Sequence, residues 1–138
     1  VINKCGVKDL IDRNFNTLSG GEQRRIHFAR TLLQLWRPSN SNDPKYLFLD
    51  EPTANLDLTY EIKLLNIVRE EAQAGAGVML VLHDLNLAAK FSDKVAILKN
   101  GSLVDIGIPK DILKSSLLSD IYEIEVEVKE DPLFITYY

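Results

Sequence analysis

Apolar positions change their spacing several times along the chain, and each change predicts an element. From Gly21 onward, Ile26, Ala29, Leu33 and Trp36 recur at helical intervals, with Glu22, Arg24, Arg25 and Arg30 on the other faces. That pattern predicts an amphipathic helix that stops before Pro38. Leu58, Ile62, Leu65, Val68 and Ala72 repeat it from about Asp57 to Ala74, and Gly75 and Gly77 end this second helix. Between the two, Tyr46-Leu47-Phe48-Leu49 is apolar without alternation, the pattern of a strand buried on both faces, and Val78 to Leu82 is a second such strand. Pro38 to Pro44 is rich in Ser, Asn, Asp and Pro and reads as a solvated loop.

Val95 to Leu98 and Ser102 to Ile106 flank Asn100-Gly101, a pair suited to the positive backbone angles of a tight hairpin. Asp84 is placed to cap a short helix through Ala89, and Pro109 and Ser115 open two more helical segments. Ile124, Val126 and Val128 alternate with charged residues, a strand with one buried face that pairs with Leu133 to Tyr137 across Asp131-Pro132. Before all of these, Gly6 to Asn16 reads as a short helix and loop carrying Val7, Leu10 and Ile11. Strands alternating with helices indicate an α/β layer architecture.

Composition narrows the classes. The chain has 138 residues, 46% hydrophobic and 26% charged, as in ordinary globular domains. Its longest uninterrupted apolar stretch, Val78 to Leu82, is far too short to cross a bilayer. With 16 basic and 20 acidic residues the net charge is −4, which offers no footprint for nonspecific binding to nucleic acid or anionic lipid. Cys5 stands alone, so no internal disulfide forms; this fits a reducing compartment, with Cys5 as a small packing residue. The first residues lack the features of a secretory signal, and no methionine initiates the chain, which suggests that it begins inside a longer one.

Three constellations carry chemistry. Leu18-Ser19-Gly20-Gly21-Glu22-Gln23 opens the first long helix, where two glycines leave backbone N–H groups uncovered at the positive end of the helix dipole. Such a place binds phosphate; it also reads as a plain N-cap serine followed by glycines. Asp50-Glu51 ends the first strand, at the carboxyl edge where α/β sheets hold ligands. Asp50 is the candidate for holding a hydrated magnesium ion and Glu51 for activating water, the alternative being two solvated loop acids. His83 follows the second strand and would share that edge if the strands are neighbours, where its ring could hydrogen-bond a terminal phosphate. His27, within the first helix, reads as a solvated residue.

Taken in order, these motifs resemble the nucleotide-binding domain of ABC proteins from Leu18 to about Gly107. The resemblance implies a partial P-loop NTPase-like fold, a mostly parallel sheet flanked by helices, with a C-terminal β-hairpin. Leu18 to Gln23 matches the signature motif, Leu47 to Asp50 the Walker B strand, Glu51 the catalytic glutamate, Ala54 to Asp57 the D-loop and His83 the switch histidine. Residues 1–17 would end a helical subdomain, 18–107 form the signature helix and the C-terminal part of the ATPase core, and 108–138 add helical turns and the hairpin. The stretches Leu35 to Pro38 and Leu82 to Ala89 look more specifically like ATPase subunits of haem importers, within the group that energises iron-siderophore and cobalamin uptake.

The resemblance implies ATP and Mg²⁺ as cofactors and a head-to-tail homodimer of ATPase subunits. Ser19, Gly20 and Gly21 would contact ATP held by the partner, with Glu22 and Gln23 completing the motif. Asp50, Glu51 and His83 would serve the chain's own nucleotide. Transmembrane permease subunits would be direct partners and a periplasmic binding protein an indirect one, with no nucleic acid, at the cytoplasmic side of the inner membrane.

The seven glycines never precede a lysine in the G-x-x-x-x-G-K-[ST] spacing, so the phosphate loop is absent from this sequence. The expectation is therefore a C-terminal part that is inactive alone. Two other readings stand beside it: a soluble ABC ATPase of DNA repair or translation, which shares the core motifs, and a noncatalytic binding or regulatory module, suggested by the missing phosphate loop.

Overall fold

The computed structural model describes residues 1–36 and 43–138; the end of the Leu35 to Pro38 stretch and most of the Pro38 to Pro44 loop lie outside the described residues. The chain forms two compact units, Val1–Val81 and Leu82–Tyr138.

In the first unit, α1 (Ile2–Cys5) ends at Gly6, which takes a left-handed φ of 63°. Two short 3-10 turns follow, Lys8–Leu10 and Phe15–Thr17, where a short helix and loop were expected over Gly6 to Asn16. Val7 and Leu10 are buried as expected, whereas Ile11 is exposed, because so tight a turn does not carry all three onto one face. Lys4 on α1 reaches Glu71 at 2.8 Å and Glu70 at 2.9 Å.

α2 (Gly20–Gln34) buries Phe28, Ala29 and Leu32. Leu33 and Trp36, expected on the inner stripe, are 54% and 72% exposed. Apolar residues occupy two faces of this helix, and the face that wins carries Phe28, which lines a small cavity with Cys5, Leu64 and Ile67. Packing against neighbouring segments, rather than periodicity, selects the stripe.

β1 (Tyr46–Asp50) and β2 (Gly77–Val81) form a parallel pair with Tyr46 opposite Gly77 and Asp50 opposite Val81. α3 (Leu58–Gln73) makes the crossover that parallel strands require. It is capped by Asp57, whose carboxylate accepts from the Tyr60 N–H at 3.1 Å, and it buries Leu64, Leu65, Ile67 and Val68. Burying a leucine such as Leu65, 1% exposed, stabilises the unit by roughly 1.5–3 kcal/mol. Gly77 has no room for a side chain, since a Cβ there would lie 2.9 Å from the Tyr46 ring.

The expectation of strands covered on both faces is corrected by the burial pattern. Leu47 is 2% exposed, but Tyr46 and Phe48 on the opposite face are 65% and 70% exposed, and Met79 on β2 is 55% exposed. An unbroken apolar run records that both faces are apolar; it does not record whether this chain supplies both covers.

In the second unit, Asp84 caps α4 (Leu85–Phe91), its carboxylate accepting from Asn86 N–H at 2.7 Å and Leu87 N–H at 3.0 Å. β3 (Val95–Lys99) and β4 (Ser102–Gly107) form the expected hairpin, with Asn100 and Gly101 at φ 53° and 75°. α5 (Pro109–Ile112) and α6 (Ser115–Tyr122) lead to the antiparallel pair β5 (Val126–Glu130) and β6 (Leu133–Tyr137). The core gathers Leu85, Ile97, Ile112, Leu113, Leu118, Val126 and Ile135. Two serines of α6 bind β5: Val126 N–H donates to Ser119 Oγ and Val128 N–H to Ser115 Oγ, each at 2.9 Å. Asn86 on α4 holds β6 by both backbone groups of Ile135, accepting its N–H at 2.8 Å and donating to its carbonyl at 3.1 Å.

Candidate functional site

The start of α2 is built by reciprocal capping. Ser19 N–H donates to Glu22 Oε2 at 2.8 Å, and Glu22 N–H donates to Ser19 Oγ at 3.3 Å, so two otherwise orphaned donors are satisfied. The backbone N–H and hydroxyl of Ser19 hold the Glu22 carboxyl below its ordinary value. Gln23 Nε2 donates to the carbonyls of Leu18 at 3.1 Å and Phe15 at 3.3 Å, fixing the loop ahead of the helix.

Neither glycine of this turn is demanded by the fold. A Cβ on Gly20 would meet nothing within 4 Å, and one on Gly21 would make an ordinary contact, 3.8 Å, with the Asn55 carbonyl. Glycine is the poorest ordinary residue for a helix, and packing accounts for neither of these two.

Asp50 is the last residue of β1 and is exposed. Glu51 follows in a left-handed conformation, φ 43°, and is half-buried. Its N–H donates to the Val81 carbonyl at 3.2 Å, extending the parallel ladder by one bond. Its own carbonyl accepts from Ala54 N–H at 3.2 Å and from Arg24 Nη1 at 3.4 Å. Asn55, at φ 60°, completes the turn that leads to Asp57, the cap of α3.

A cleft of about 490 Å³ lies between α2 and the end of β1, and Gly20, Gln23, Arg24 and His27 face Asp50 and Asn55 across it. The structure thus brings the glycine-opened helix and the first acidic residue to one cleft. His27, exposed, stacks edge-on with Phe15 at 5.2 Å between ring centres. His83 follows β2 by two residues, at the start of the second unit, and is exposed. Cys5 is buried, and burial pushes its thiol up, as suits a packing residue.

Among the described residues, no three of His, Cys, Asp and Glu gather as a metal cage. Exposed Asp50 instead offers a single oxygen-donor side chain, which suits magnesium, an ion commonly held by one or two carboxylates together with water and phosphate oxygens. Arg24 was not singled out as a site residue from the sequence, because its partner lies 27 positions away and no local pattern announces it.

This architecture, a parallel strand pair whose first strand ends at Asp50-Glu51 beside a glycine-opened helix, resembles part of an ABC-type nucleotide-binding domain. The ABC transporter family matches residues 1–54. The chain is 43% identical to the hemin import ATP-binding protein HmuV of Bartonella quintana, over 92% of this chain and 48% of that protein. It is equally 43% identical to the HmuV of Gloeobacter violaceus, over 93% of this chain and 46% of the relative. A solved structure described as an inward-facing conformation of a metal-chelate type ABC transporter superposes with a TM-score of 0.79 at 23% identity, covering 99% of this chain and 54% of that one. The chain therefore spans about half the length of the curated relatives it matches. The resemblance to ABC transporter ATP-binding subunits holds in both sequence and fold. Among the described residues no helix is long and apolar enough to cross a membrane.

Proposed function

We propose that the chain is the C-terminal part of the ATP-hydrolysing subunit of an ABC importer that energises haem uptake. The observation that carries the phosphate-handling part is the start of α2, where a reciprocal cap holds two glycines whose Cβ positions the fold leaves open. The haem assignment is supported by the relatives, which are named as hemin import ATP-binding proteins. Residues 1–17, 18–107 and 108–138 would then be the end of the helical subdomain, the core portion and the C-terminal addition.

In a head-to-tail homodimer, Ser19, Gly20 and Gly21 present N–H groups and a hydroxyl to the terminal phosphate of ATP held by the partner, and Glu22 and Gln23 fix that turn. Asp50 would hold Mg²⁺ on the chain's own nucleotide. Bound there, the ion supplies neutralisation of phosphate charge. Glu51 orients the attacking water and takes its proton as the bond between the terminal phosphate and ADP breaks. His83 would donate to the terminal phosphate, a role supported by its match to the switch histidine. Asp57 keeps the intervening turn in place by capping α3.

The proposed partners are transmembrane permease subunits and, through them, a periplasmic binding protein, with the subunit peripheral to the cytoplasmic side of the inner membrane. The test is ATP-driven uptake by vesicles holding the full-length subunit and its permease, with haem, an iron-siderophore and cobalamin offered in turn. Haem uptake is expected. Uptake of either competitor without haem would overturn the haem assignment, and failure of the subunit to bind any permease would overturn the importer assignment.

A further inference from the structure

We propose that Arg24 is a positioning residue for Glu51, linking the start of α2 to the turn that carries the water-activating carboxylate. The inference rests on the reading of Glu51 as general base. Glu51 occupies the left-handed region at φ 43°, where a residue with a side chain is strained by about 1–3 kcal/mol and persists only if its surroundings hold it. The hold is visible at both ends of the residue. Its N–H is bound to Val81, and its carbonyl is shared by Ala54 N–H and Arg24 Nη1 at 3.2 and 3.4 Å.

Of these partners, Arg24 alone comes from α2. It lies within two turns of Ser19 on a capped helix. The helix that carries the glycine-opened start thus reaches the Glu51 turn directly, through Arg24. A phosphate gripped at the helix start loads the same body that fixes the Glu51 backbone. Grip on one nucleotide is thereby transmitted to the carboxylate that serves the other, through a charged donor and one carbonyl.

The experiment compares Arg24→Ala, Arg24→Lys and Glu51→Gln with wild type in the full-length protein, measuring kcat and KM for ATP and the melting temperature. Arg24→Ala is expected to lower kcat about tenfold, the rate equivalent of one hydrogen bond from a charged donor, with KM unchanged and a cooperative melting transition retained. Arg24→Lys should recover most of the loss, since a single N–H to one carbonyl needs no guanidinium fork. Wild-type kcat in Arg24→Ala overturns the inference. So does a loss that the lysine fails to recover, or one accompanied by loss of the cooperative melting transition, which marks a structural role. Wild-type turnover in Glu51→Gln removes the base reading and this inference with it; an inactive Glu51→Gln beside a fully active Arg24→Ala removes this inference alone.

Discussion

Ser19 and Glu22 cap one another across the first turn of α2, at 2.8 Å and 3.3 Å, and this pair makes the glutamate carboxyl more acidic than an ordinary one. A carboxyl whose folded value is depressed contributes stability above its unfolded value of about 4.5 and loses it as pH falls through the folded value. Glu22→Gln keeps an acceptor for the Ser19 N–H but not the charge. The melting temperature of this variant should therefore fall less than that of wild type between about pH 5 and 3, read by thermal denaturation across that range. Parallel acid limbs for the two proteins would remove Glu22 from the account of this helix start.

Gly20→Ala and Gly21→Ala separate folding from ligand approach. Because neither Cβ meets an obstacle, both variants should keep the wild-type melting temperature or gain up to about 1 kcal/mol of helix stability. ATP turnover by the full-length dimer should nonetheless drop at least about tenfold, as methyl groups cover the donors that face phosphate. Full turnover at unchanged stability would make these glycines ordinary helix residues.

Asn86 pins α4 to β6 through both backbone groups of Ile135. Asn86→Ala leaves a partly buried N–H and carbonyl without that partner, so denaturant unfolding should show a loss of about 1–3 kcal/mol. The variant protein should also show faster amide exchange along β6, the signature of a hairpin freed at its inner strand.

Much of the chain was legible where local chemistry decides the outcome. Asn100-Gly101 foretold a turn needing two positive φ angles, and Asp84 caps the helix that follows it. Whether the strands ending at Asp50 and before His83 are neighbours was left open by the residues, and the parallel pairing around Asp50 answers it. What escaped depends on contacts far apart in sequence. α2 carries two apolar stripes, and only packing near Cys5 and Leu64 turns Phe28 inward and leaves Trp36 outside. Tyr46 and Phe48 read as core, yet a sequence run cannot say which chain covers them. Arg24 to Glu51 and Asn86 to Ile135 join positions 27 and 49 residues apart, and no spacing rule reaches that far.

At the centre of the account stands Glu51, held in an uncommon backbone conformation directly after Asp50. The decisive measurement is steady-state ATP turnover by full-length Glu51→Gln, with nucleotide binding determined on the same sample. Binding close to wild type is expected, with turnover reduced at least about a hundredfold, the scale of removing a general base. Turnover equal to wild type would contradict the base reading of Glu51.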